Sequence, residues 1–301
     1  MAIRMDPRVS DALRRNEPVV ALESAVVTHG LPDREAARAA TELADTIQAF
    51  GAVPALVGLI DGELVVGLSP RETERLASSR VDKASLWNLP ALIATRRDAG
   101  TTVAATLHAC ALSGIRVFAT GGIGGVHHRP FDESADLEAL SRYSVVTVCS
   151  GPKSLVDVAA TLERLETRGV NLLGYRSDKL AGFYVRETDH TVPARCETPD
   201  EVADVYRAQL ELGLSTATLV SNPVSQGLPA AEVAAWLSQA REEEHRLTGK
   251  DATPLMLERL AELSQGRTLE VNLRLLNENA AVAAQVAGAL AARRQPDVVH
   301  A

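Results

Sequence analysis

The sequence predicts an α/β fold, in which helices cover a central sheet that is mixed but mostly parallel. Short apolar runs of strand length alternate with longer segments of helical period along most of the chain, as in parallel sheets joined by helical crossovers. The Asp61-Gly62 pair between two apolar runs predicts one antiparallel hairpin. This hairpin and a mostly helical C-terminal part fit poorly with a (β/α)8 barrel, which is the main alternative.

The predicted elements follow this alternation in order. A strand over residues 19–23 leads to a helix that Asp33 caps and that stops at Gly51. After the hairpin, Ser69 and Glu72 form a capping box around a proline at the first helical position, so a short helix starts there. The remaining predictions are a helical stretch around 87–98, strands at 116–120, 145–150, 171–175 and around 217–224, and a helix from 154 onward.

Composition and charge limit the classes of function. The chain has 301 residues and a net charge of −8, from 31 Lys and Arg against 39 Asp and Glu, which argues against nucleic-acid binding. Three cysteines without a CxxC spacing argue against a disulfide scaffold or a cysteine-based zinc site. The N-terminus has no apolar signal core, and no apolar run approaches a bilayer-spanning length, so we expect a cytoplasmic protein without membrane contact. Without a repeat or a long linker, residues 1–301 are predicted to form one domain.

Polar residues follow several predicted strands at their carboxyl ends, where parallel α/β sheets bind ligands. Glu23 ends the first strand and therefore stands where a catalytic acid would be placed. The glycine run 121–125 follows a strand and could let backbone N–H groups approach an anion, although a plain tight turn is an equal alternative. Two further strand ends carry Gly151-Pro152-Lys153-Ser154 and Ser221-Asn222-Pro223.

Lys153 is the most informative of these residues. It is predicted at the N-terminus of a helix, where the helix dipole, partial desolvation and a second cation such as Lys83 would lower its pKa. A lowered pKa would leave part of the amine neutral and nucleophilic at pH 7. The ordinary alternative is a surface lysine whose ammonium group reaches water, and Lys83 could likewise be a solvated loop residue.

A divalent cation is one interpretation of the segment after the glycine run. His127, Asp132 and Asp136 carry ligand atoms that suit Mg²⁺ or Mn²⁺ better than a tetrahedral zinc site. The alternative is a solvated acidic loop that caps the helix starting near residue 136.

Two other groups of polar residues also have a functional and a structural interpretation. Thr101, Thr102 and Thr106 could donate to a phosphate, and we take Thr102 as a substrate-binding candidate, but Thr101 or Thr102 could instead cap a helix. Asn272 and Asn279 are seven residues apart and so share a helix face. They could bind a polar ligand or could simply be exposed to solvent.

Seven segments of the chain resemble, in order, a known family of enzymes. The segments are VALESAVVTHGLP, GTTVAAT, FATGGIGGVHH, FDESADL, VVTVCSGPKSLVD, LERLETRGVNLLGY and SNPV. They are similar to pseudouridine-5′-phosphate glycosidases and the related indigoidine-cluster proteins, from about residue 8 to 293. The resemblance implies an α/β/α sandwich, usually a homotrimer, that makes or breaks a carbon–carbon glycosidic bond between ribose 5-phosphate and a base.

The resemblance also implies roles for particular residues. Lys153 would attack C1′ of the ring-opened sugar and form a Schiff base, and Glu23 would be the general acid that protonates the departing carbon of the base. Asp132 matches the position that holds Mn²⁺, for which Mg²⁺ is the alternative. The positions that match the substrate pocket are Lys83, Val103, His127, Ser134, Ala135, Asp136 and Asn279.

The types of residue suit this chemistry independently. A carbon–carbon glycosidic bond has no oxygen leaving group, so its cleavage needs an electron sink on the sugar and a proton for the base carbon. A lysine imine supplies the first and a buried carboxylic acid the second. We therefore expect reversible cleavage of pseudouridine 5′-phosphate to uracil and ribose 5-phosphate.

One segment, KASLWNLP, departs from the family pattern, in which two arginines and an aspartate stand where this chain has Leu86, Trp87 and Asn88. The change favours a second hypothesis, a biosynthetic C-glycosynthase that joins ribose 5-phosphate to an aromatic polyketide, as in the alnumycin pathway. Sequence drift on a surface helix is the plain alternative. Two other functions remain as alternatives, a non-catalytic phosphosugar-binding protein and a Schiff-base aldolase. The presence of both Glu23 and Lys153 argues against a protein that only binds the sugar phosphate.

Overall fold

The computed structural model describes residues 3–31, 33–78, 80–128, 130–244 and 252–292. Its strands are β1 Ile3–Met5, β2 Val19–Glu23, β3 Val53–Ile60, β4 Glu63–Val66, β5 Asp82–Ala84, β6 Ala99–Thr101, β7 Val117–Ala119, β8 Val146–Cys149, β9 Asn171–Tyr175, β10 Lys179–Gly182, β11 Val185–Thr191, β12 Ala194–Cys196 and β13 Thr218–Ser221. Its α-helices are α1 Pro7–Arg14, α2 Asp33–Ala49, α3 Pro70–Ala77, α4 Leu89–Ala94, α5 Val103–Ser113, α6 Ala135–Arg142, α7 Val158–Thr167, α8 Pro199–Glu211, α9 Ala230–Glu244, α10 Ala252–Leu263 and α11 Arg267–Ala292. A π-helical turn, Val26–Gly30, follows β2 directly.

The strands form one large mixed sheet, as the sequence predicts. Its main order is β1-β4-β3-β2-β7-β8-β13-β9-β12, and β5 and β6 extend it through a pairing of β6 with β3. The pairings of β3 with β4 and with β6 are antiparallel, and the other pairings in this sheet are parallel. Strands β10 and β11 form a separate antiparallel pair. The carboxyl ends of β2, β7 and β8 therefore lie side by side at one edge.

Helices cover both faces of the sheet, which makes the fold an α/β/α sandwich. Alternate residues of β2 point to opposite faces, so Val20 and Leu22 belong to one apolar core and Val19 and Ala21 to the other. The first core packs against α2, α8 and α11, and the second packs against α1, α5 and α6. Among the residues that the structure describes, no helix combines the length and apolarity that crossing a membrane requires.

The local signals for turns and caps are mostly confirmed. The hairpin between β3 and β4 turns at Asp61 and Gly62, which have φ values of 50° and 78°, the left-handed pair that a type I′ turn needs. The capping box of Ser69 and Glu72 starts α3. Asp33 is the first residue of α2, and its capping role falls outside the described side chains.

Two predicted helices have different bounds in the structure. The stretch around 87–98 contains the shorter helix α4, because the chain after it turns into β6 beside β3 and β5. The helix predicted from residue 154 begins only at Val158, because Asp157 is its N-cap and accepts a hydrogen bond from the backbone N–H of Ala160.

Candidate active site

A cavity of about 450 Å³ opens at the carboxyl ends of β2, β7 and β8. The chain brings most of the predicted site residues to its wall, although they come from separate parts of the sequence. The predicted residues on the wall are Glu23, Lys83, Thr102, Val103, His127, Ser134, Ala135, Asp136 and Lys153. The topology therefore assembles this site at the sheet edge where parallel α/β folds place their ligands.

Glu23 is buried at the tip of β2, with 5% of its surface exposed. Burial raises the pKa of its carboxyl group, because the charged form loses its hydration, and the nearby Lys153 ammonium and the Thr120 hydroxyl oppose this shift only in part. The Thr120 hydroxyl donates a hydrogen bond to Oε1 of Glu23. Glu23 therefore keeps its proton to a higher pH than an exposed glutamate does, which suits a general acid.

Lys153 lies in a loop before α7, so the prediction that it opens a helix is wrong. Its backbone N–H donates to the carbonyl of Ile123 at 2.9 Å, and bridges pair Pro152 with Ile123 and Asp157 with Val126. The loop 152–157 therefore runs along the glycine segment instead of continuing into the helix. Lys153 is therefore not in the first turn of α7, whereas its position on the cavity wall is as expected.

Lys83, on β5, is a partly buried lysine with a lowered pKa. Burial lowers the pKa of its amine, the charge of Lys153 lowers it further, and the carboxylates of Asp136 and Glu23 act in the opposite direction. The charge repulsion that the sequence predicts between Lys83 and Lys153 is therefore present. A bound anion between them would favour the charged form of Lys83.

Asp136 holds two parts of the cavity wall together. Its Oδ1 accepts the backbone N–H of Ala104 at 3.0 Å, and its Oδ2 accepts the backbone N–H of Gly124 at 2.9 Å. These bonds connect the start of α6 to the start of α5 and to the glycine run. Asp136 is buried, and because each of its oxygens accepts a backbone N–H, its side chain fixes the surrounding backbone.

The N-termini of α5 and α6 meet at the cavity. Thr102 caps α5 by accepting the N–H of Ala105, which confirms the structural alternative, and Ser134 caps α6 by accepting the N–H of Asp136. Val103 and Ala135 are the first residues of these helices. Two convergent helix N-termini form a positive backbone environment that suits a phosphate group.

His127 and Asp132 lie in the turn that borders the cavity. The backbone N–H of His127 donates to the carbonyl of Asp132 at 2.8 Å, and Val126 pairs with Glu133 across the turn. In the described ranges, no three His, Cys, Asp or Glu side chains are grouped as metal ligands. The cation set predicted from His127, Asp132 and Asp136 is therefore not assembled, since Asp136 faces backbone N–H groups. The exposed carboxylate of Asp132 by itself suits a largely hydrated Mn²⁺ or Mg²⁺ ion.

The resemblance places Asn279 in the substrate pocket, but the structure buries it fully behind the residues that line the cavity. Its Nδ2 donates to the carbonyl of Thr120 at 2.8 Å, and its Oδ1 accepts from Nδ2 of Asn222 at 2.9 Å and from the hydroxyl of Ser150. The side chain thereby ties α11 to the ends of β7, β8 and β13. Asn279 is thereby linked to Glu23 through Thr120, whose carbonyl accepts from Asn279 and whose hydroxyl donates to Glu23.

Thr120 and Phe183 are among the residues of the site that were not selected from the sequence. Thr120, the partner of Glu23, carried a weak signal as a threonine at the end of a predicted strand. Phe183 lines the cavity, although it lies in the turn between β10 and β11, and nothing in the local sequence places that turn near β8. The backbone N–H of Phe183 donates to the carbonyl of Ser150 at 2.9 Å, a contact that only the tertiary fold creates.

Comparison with known proteins finds relatives that match nearly the whole chain. The chain is 55% identical over 277 residues to a pseudouridine-5′-phosphate glycosidase of Thermus thermophilus, covering 91% of this chain and 98% of that protein. It is 44% identical to the enzyme of that name from Symbiobacterium thermophilum, covering 95% and 97% of the two chains.

Two solved structures share the fold. The prealnumycin C-glycosynthase AlnA, in complex with ribulose 5-phosphate, superposes with a TM-score of 0.90 at 33% identity, covering 97% of this chain and 98% of that one. An indigoidine synthase A-like protein of Thermotoga maritima superposes with a TM-score of 0.89 at 35% identity, covering 96% and 97%. The model of the family described as "Indigoidine synthase A like protein" matches residues 8–289. The chain therefore belongs to the indigoidine synthase A-like protein family.

Proposed function

We propose that this protein reversibly cleaves the carbon–carbon glycosidic bond of pseudouridine 5′-phosphate, releasing uracil and ribose 5-phosphate. The observation that carries the proposal is a buried carboxyl group with a raised pKa, Glu23, that lies close enough to Lys153 to feel its charge. The relatives named pseudouridine-5′-phosphate glycosidase, at 55% and 44% identity over nearly the whole chain, support this substrate.

Lys153 acts as the nucleophile and Glu23 as the general acid. The C1′–O4′ bond breaks as O4′ takes a proton from solvent, and the neutral Nζ of Lys153 then forms a bond to C1′ of the opened sugar and releases one of its own protons. Glu23 then gives its proton to C5 of the base while the C1′–C5 bond breaks, and the lone pair on Nζ forms the C1′ imine. Water hydrolyses the imine, which releases ribose 5-phosphate and the free amine, and Glu23 regains a proton from solvent.

The phosphate of the substrate binds at the N-termini of α5 and α6. Val103 and Ala135, the first residues of these two helices, line the cavity together with Lys83. A phosphate dianion at this position satisfies the positive ends of two helices and the Lys83 ammonium together. This placement leaves the ring carbon C1′ to be reached by Lys153.

A divalent cation, Mn²⁺ or Mg²⁺, is part of the proposal, with Asp132 as its protein ligand. Such an ion would supply positive charge beside the phosphosugar while keeping most of its own waters. The carboxylate of Asp132 and its neighbour His127 would orient the turn that borders the cavity. Removal of divalent ions with a chelator, followed by measurement of uracil release, tests this part by itself.

Two assays test the proposed reaction. Wild-type protein with pseudouridine 5′-phosphate and Mn²⁺ should release uracil, measured by chromatography. Borohydride reduction in the presence of ribose 5-phosphate should add one reduced sugar phosphate to the protein, and peptide mass mapping should place it on Lys153. The Lys153→Ala variant should lose both signals, whereas Lys179→Ala, which removes an exposed lysine on β10, should keep them.

The same assays separate the alternatives. Labelling on a residue other than Lys153 would refute the nucleophile assignment, and no labelling with any phosphosugar would favour a non-catalytic binding protein. A two-carbon or three-carbon product would reveal a Schiff-base aldolase. Absence of uracil release despite labelling of Lys153 would favour the second candidate described next.

The second candidate is a C-glycosynthase that joins ribose 5-phosphate to a larger aromatic carbon nucleophile. Two observations favour it: the structural similarity to AlnA, and the side chain of Trp87, which lines the cavity while 74% exposed. The exposed indole offers a flat apolar surface to an aromatic acceptor. Incubation with ribose 5-phosphate and polycyclic aromatic acceptors, followed by mass measurement of the product, tests this reaction.

Assembly and location are also part of the proposal. We expect a homotrimer, on the resemblance to the family, and sedimentation or mass photometry of the purified protein should give three times the 32.0 kDa chain mass. A monomer or dimer at micromolar concentration would contradict it. We expect cytoplasmic location, which fractionation of expressing cells would check.

A further inference from the structure

A short antiparallel ribbon borders the cavity and carries Asp132, the proposed ligand of the divalent cation. Val126 pairs with Glu133 across it, and the backbone N–H of His127 donates to the carbonyl of Asp132 at 2.8 Å. We call these four residues the cavity ribbon; two of them, His127 and Glu133, line the cavity. Directly opposed residues share a face of an antiparallel pair. His127 and Asp132 therefore lie on one face of the cavity ribbon, and Val126 and Glu133 lie on the other.

The first arm of the cavity ribbon is held by the start of α7 through backbone contacts. The backbone N–H of Asp157 donates to the carbonyl of Val126 at 2.8 Å, and the backbone N–H of Val126 donates to the hydroxyl of Thr161 at 3.0 Å. Gly125 packs so closely on this hydroxyl that a Cβ there would lie 2.3 Å from it. The first two turns of α7 therefore set the position of this arm.

The returning arm, which carries Asp132, is attached to α7 by an ion pair between side chains. A guanidinium N–H of Arg164 donates to Oε1 of Glu133, and the two side chains are 42% and 28% exposed. Arg164 lies three residues after Thr161 and therefore on the same face of the helix. One face of α7 thus contacts both arms of the cavity ribbon.

The same helix directly follows the loop of the proposed nucleophile. The backbone N–H of Lys153 donates to the carbonyl of Ile123, and its loop leads into α7 at the N-cap Asp157. Helix α7 thus connects the nucleophile to the arm that carries the cation ligand. An ion pair as exposed as that of Arg164 contributes little to stability. Its expected effect is therefore on the position of the returning arm rather than on folding.

We propose that Arg164 is a positioning residue, which holds the returning arm through Glu133 and so places the carboxylate of Asp132 for the divalent cation and the sugar phosphate. The inference rests on the proposed function and extends it to the residue that prepares the cation ligand. Arg164 is not among the residues that line the cavity, so it acts through Glu133 rather than on the substrate.

The sign of the effect on cation binding separates positioning from charge alone. Removal of a positive charge near the cation would by itself strengthen Mn²⁺ binding, because like charges repel. Loss of a positioning contact would weaken Mn²⁺ binding, because the carboxylate of Asp132 would spend less time in the binding position. Titration of chelator-treated protein with Mn²⁺, with the free ion measured by electron paramagnetic resonance, gives the Kd without substrate or turnover.

The test compares Arg164→Met with a matched control on the same helix. Arg164→Met removes the charge and keeps much of the length of the side chain. Arg168→Met removes a second arginine of α7, which pairs with Glu138 of α6 instead of with the cavity ribbon. Arg164→Lys keeps the charge with a different geometry. Glu133→Leu, alone and combined with Arg164→Met, completes a double-mutant cycle.

We expect Arg164→Met to raise the Kd for Mn²⁺ by roughly 3- to 10-fold, and to raise KM for pseudouridine 5′-phosphate by a similar factor. At saturating Mn²⁺ and substrate, kcat should stay within about twofold of the wild type, and the melting temperature should fall by less than about 2 °C. Arg164→Lys should give an intermediate Kd, and Arg168→Met should keep the wild-type Kd within about 1.5-fold. In the Glu133→Leu background, Arg164→Met should change the Kd by less than about twofold.

Three results would overturn the inference. An unchanged or lower Kd in Arg164→Met would leave charge alone as the explanation. An equal rise in Arg168→Met would assign the effect to α7 as a whole, and a full rise in the Glu133→Leu background would show that Arg164 does not act through Glu133.

The wild type separates these failures from a failure of the proposed function. A wild-type protein that binds no Mn²⁺ would refute the cation part of the proposed function, and this inference with it. A wild-type protein that binds Mn²⁺ but releases no uracil would refute the proposed reaction, and the Mn²⁺ titrations of the variants would still decide the role of Arg164.

Discussion

Two buried carboxyl groups, Asp136 and Glu23, line the same cavity in opposite surroundings. Asp136 accepts one backbone N–H on each oxygen and joins α5, α6 and the glycine run. Oε1 of Glu23 accepts a hydrogen bond from the Thr120 hydroxyl, and burial raises the pKa of Glu23. The comparison teaches that a buried carboxyl group with a backbone donor on each oxygen ties chain segments together, whereas burial with one hydroxyl donor raises the pKa of Glu23, as the proposed proton donor requires.

The largest expected effect comes from removing the acid at the strand end. Glu23→Gln keeps the shape of the side chain but cannot give a proton to the base carbon, so kcat for uracil release should fall by roughly 10²- to 10⁴-fold. Borohydride labelling of Lys153 by ribose 5-phosphate should remain, since that step needs no proton for a base. Glu187→Gln, at a half-buried carboxylate that bonds to Ser177, is the control and should keep full activity. Full activity of Glu23→Gln would refute the assignment.

The complementary change at the helix ends should act on stability and binding. Asp136→Asn turns an N–H group towards one of the two backbone N–H donors, so one hydrogen bond is lost and a buried donor is left unsatisfied, at a cost of about 1–3 kcal/mol in the free energy of unfolding. KM for the phosphosugar should rise as well, because the N-termini of α5 and α6 lose their connection. Denaturant unfolding and steady-state kinetics measure the two effects.

The matched control for this variant is Asp157→Asn. Asp157 caps α7, and asparagine caps a helix about as well as aspartate, so the expected loss of stability is under about 0.5 kcal/mol. Equal losses in the two variants would contradict the special role of the paired oxygens of Asp136.

A pH-dependent difference in stability should distinguish Glu23 from other carboxyl groups. Because folding raises the pKa of Glu23, the folded protein holds this proton over a pH range in which the unfolded chain has released it. The resulting contribution to stability is fully present below the ordinary value of 4.5 and is lost as pH rises through the folded-state pKa. The free energy of unfolding of the wild type, relative to Glu23→Gln, should therefore fall with rising pH across that window. A difference that rises with pH would contradict the raised pKa.

The smallest effect tests the cap of α5. Thr102→Ala should lower the free energy of unfolding by about 1 kcal/mol and also raise KM for the phosphosugar, because the helix end that faces the cavity frays. Thr198→Ala removes the equivalent cap of α8, away from the cavity, and should cost similar stability without changing KM. Equal KM values in the two variants would show that the N-terminus of α5 does not contribute to phosphate binding.

The sequence by itself determined the features that depend on near neighbours along the chain. The alternation of strands and helices, the Asp61-Gly62 hairpin, the Ser69 capping box and the position of Glu23 at a strand tip were all predicted from short segments. These signals are local, because turn conformation and capping depend on residues within about four positions. The family resemblance added the roles of Lys153 and Glu23.

Only the tertiary structure decided which side chains lie in the same local environment. Three features depend on residues that are distant in sequence: the start of α7 after Lys153, the lowered pKa of Lys83 and the hydrogen bonds that Asp136 accepts from other segments. The same holds for the contrast between Asn279, which is satisfied within the protein, and Asn272, which faces the cavity. Burial and charge–charge interactions act through space, so a pattern along the chain cannot report them until packing has brought the groups together.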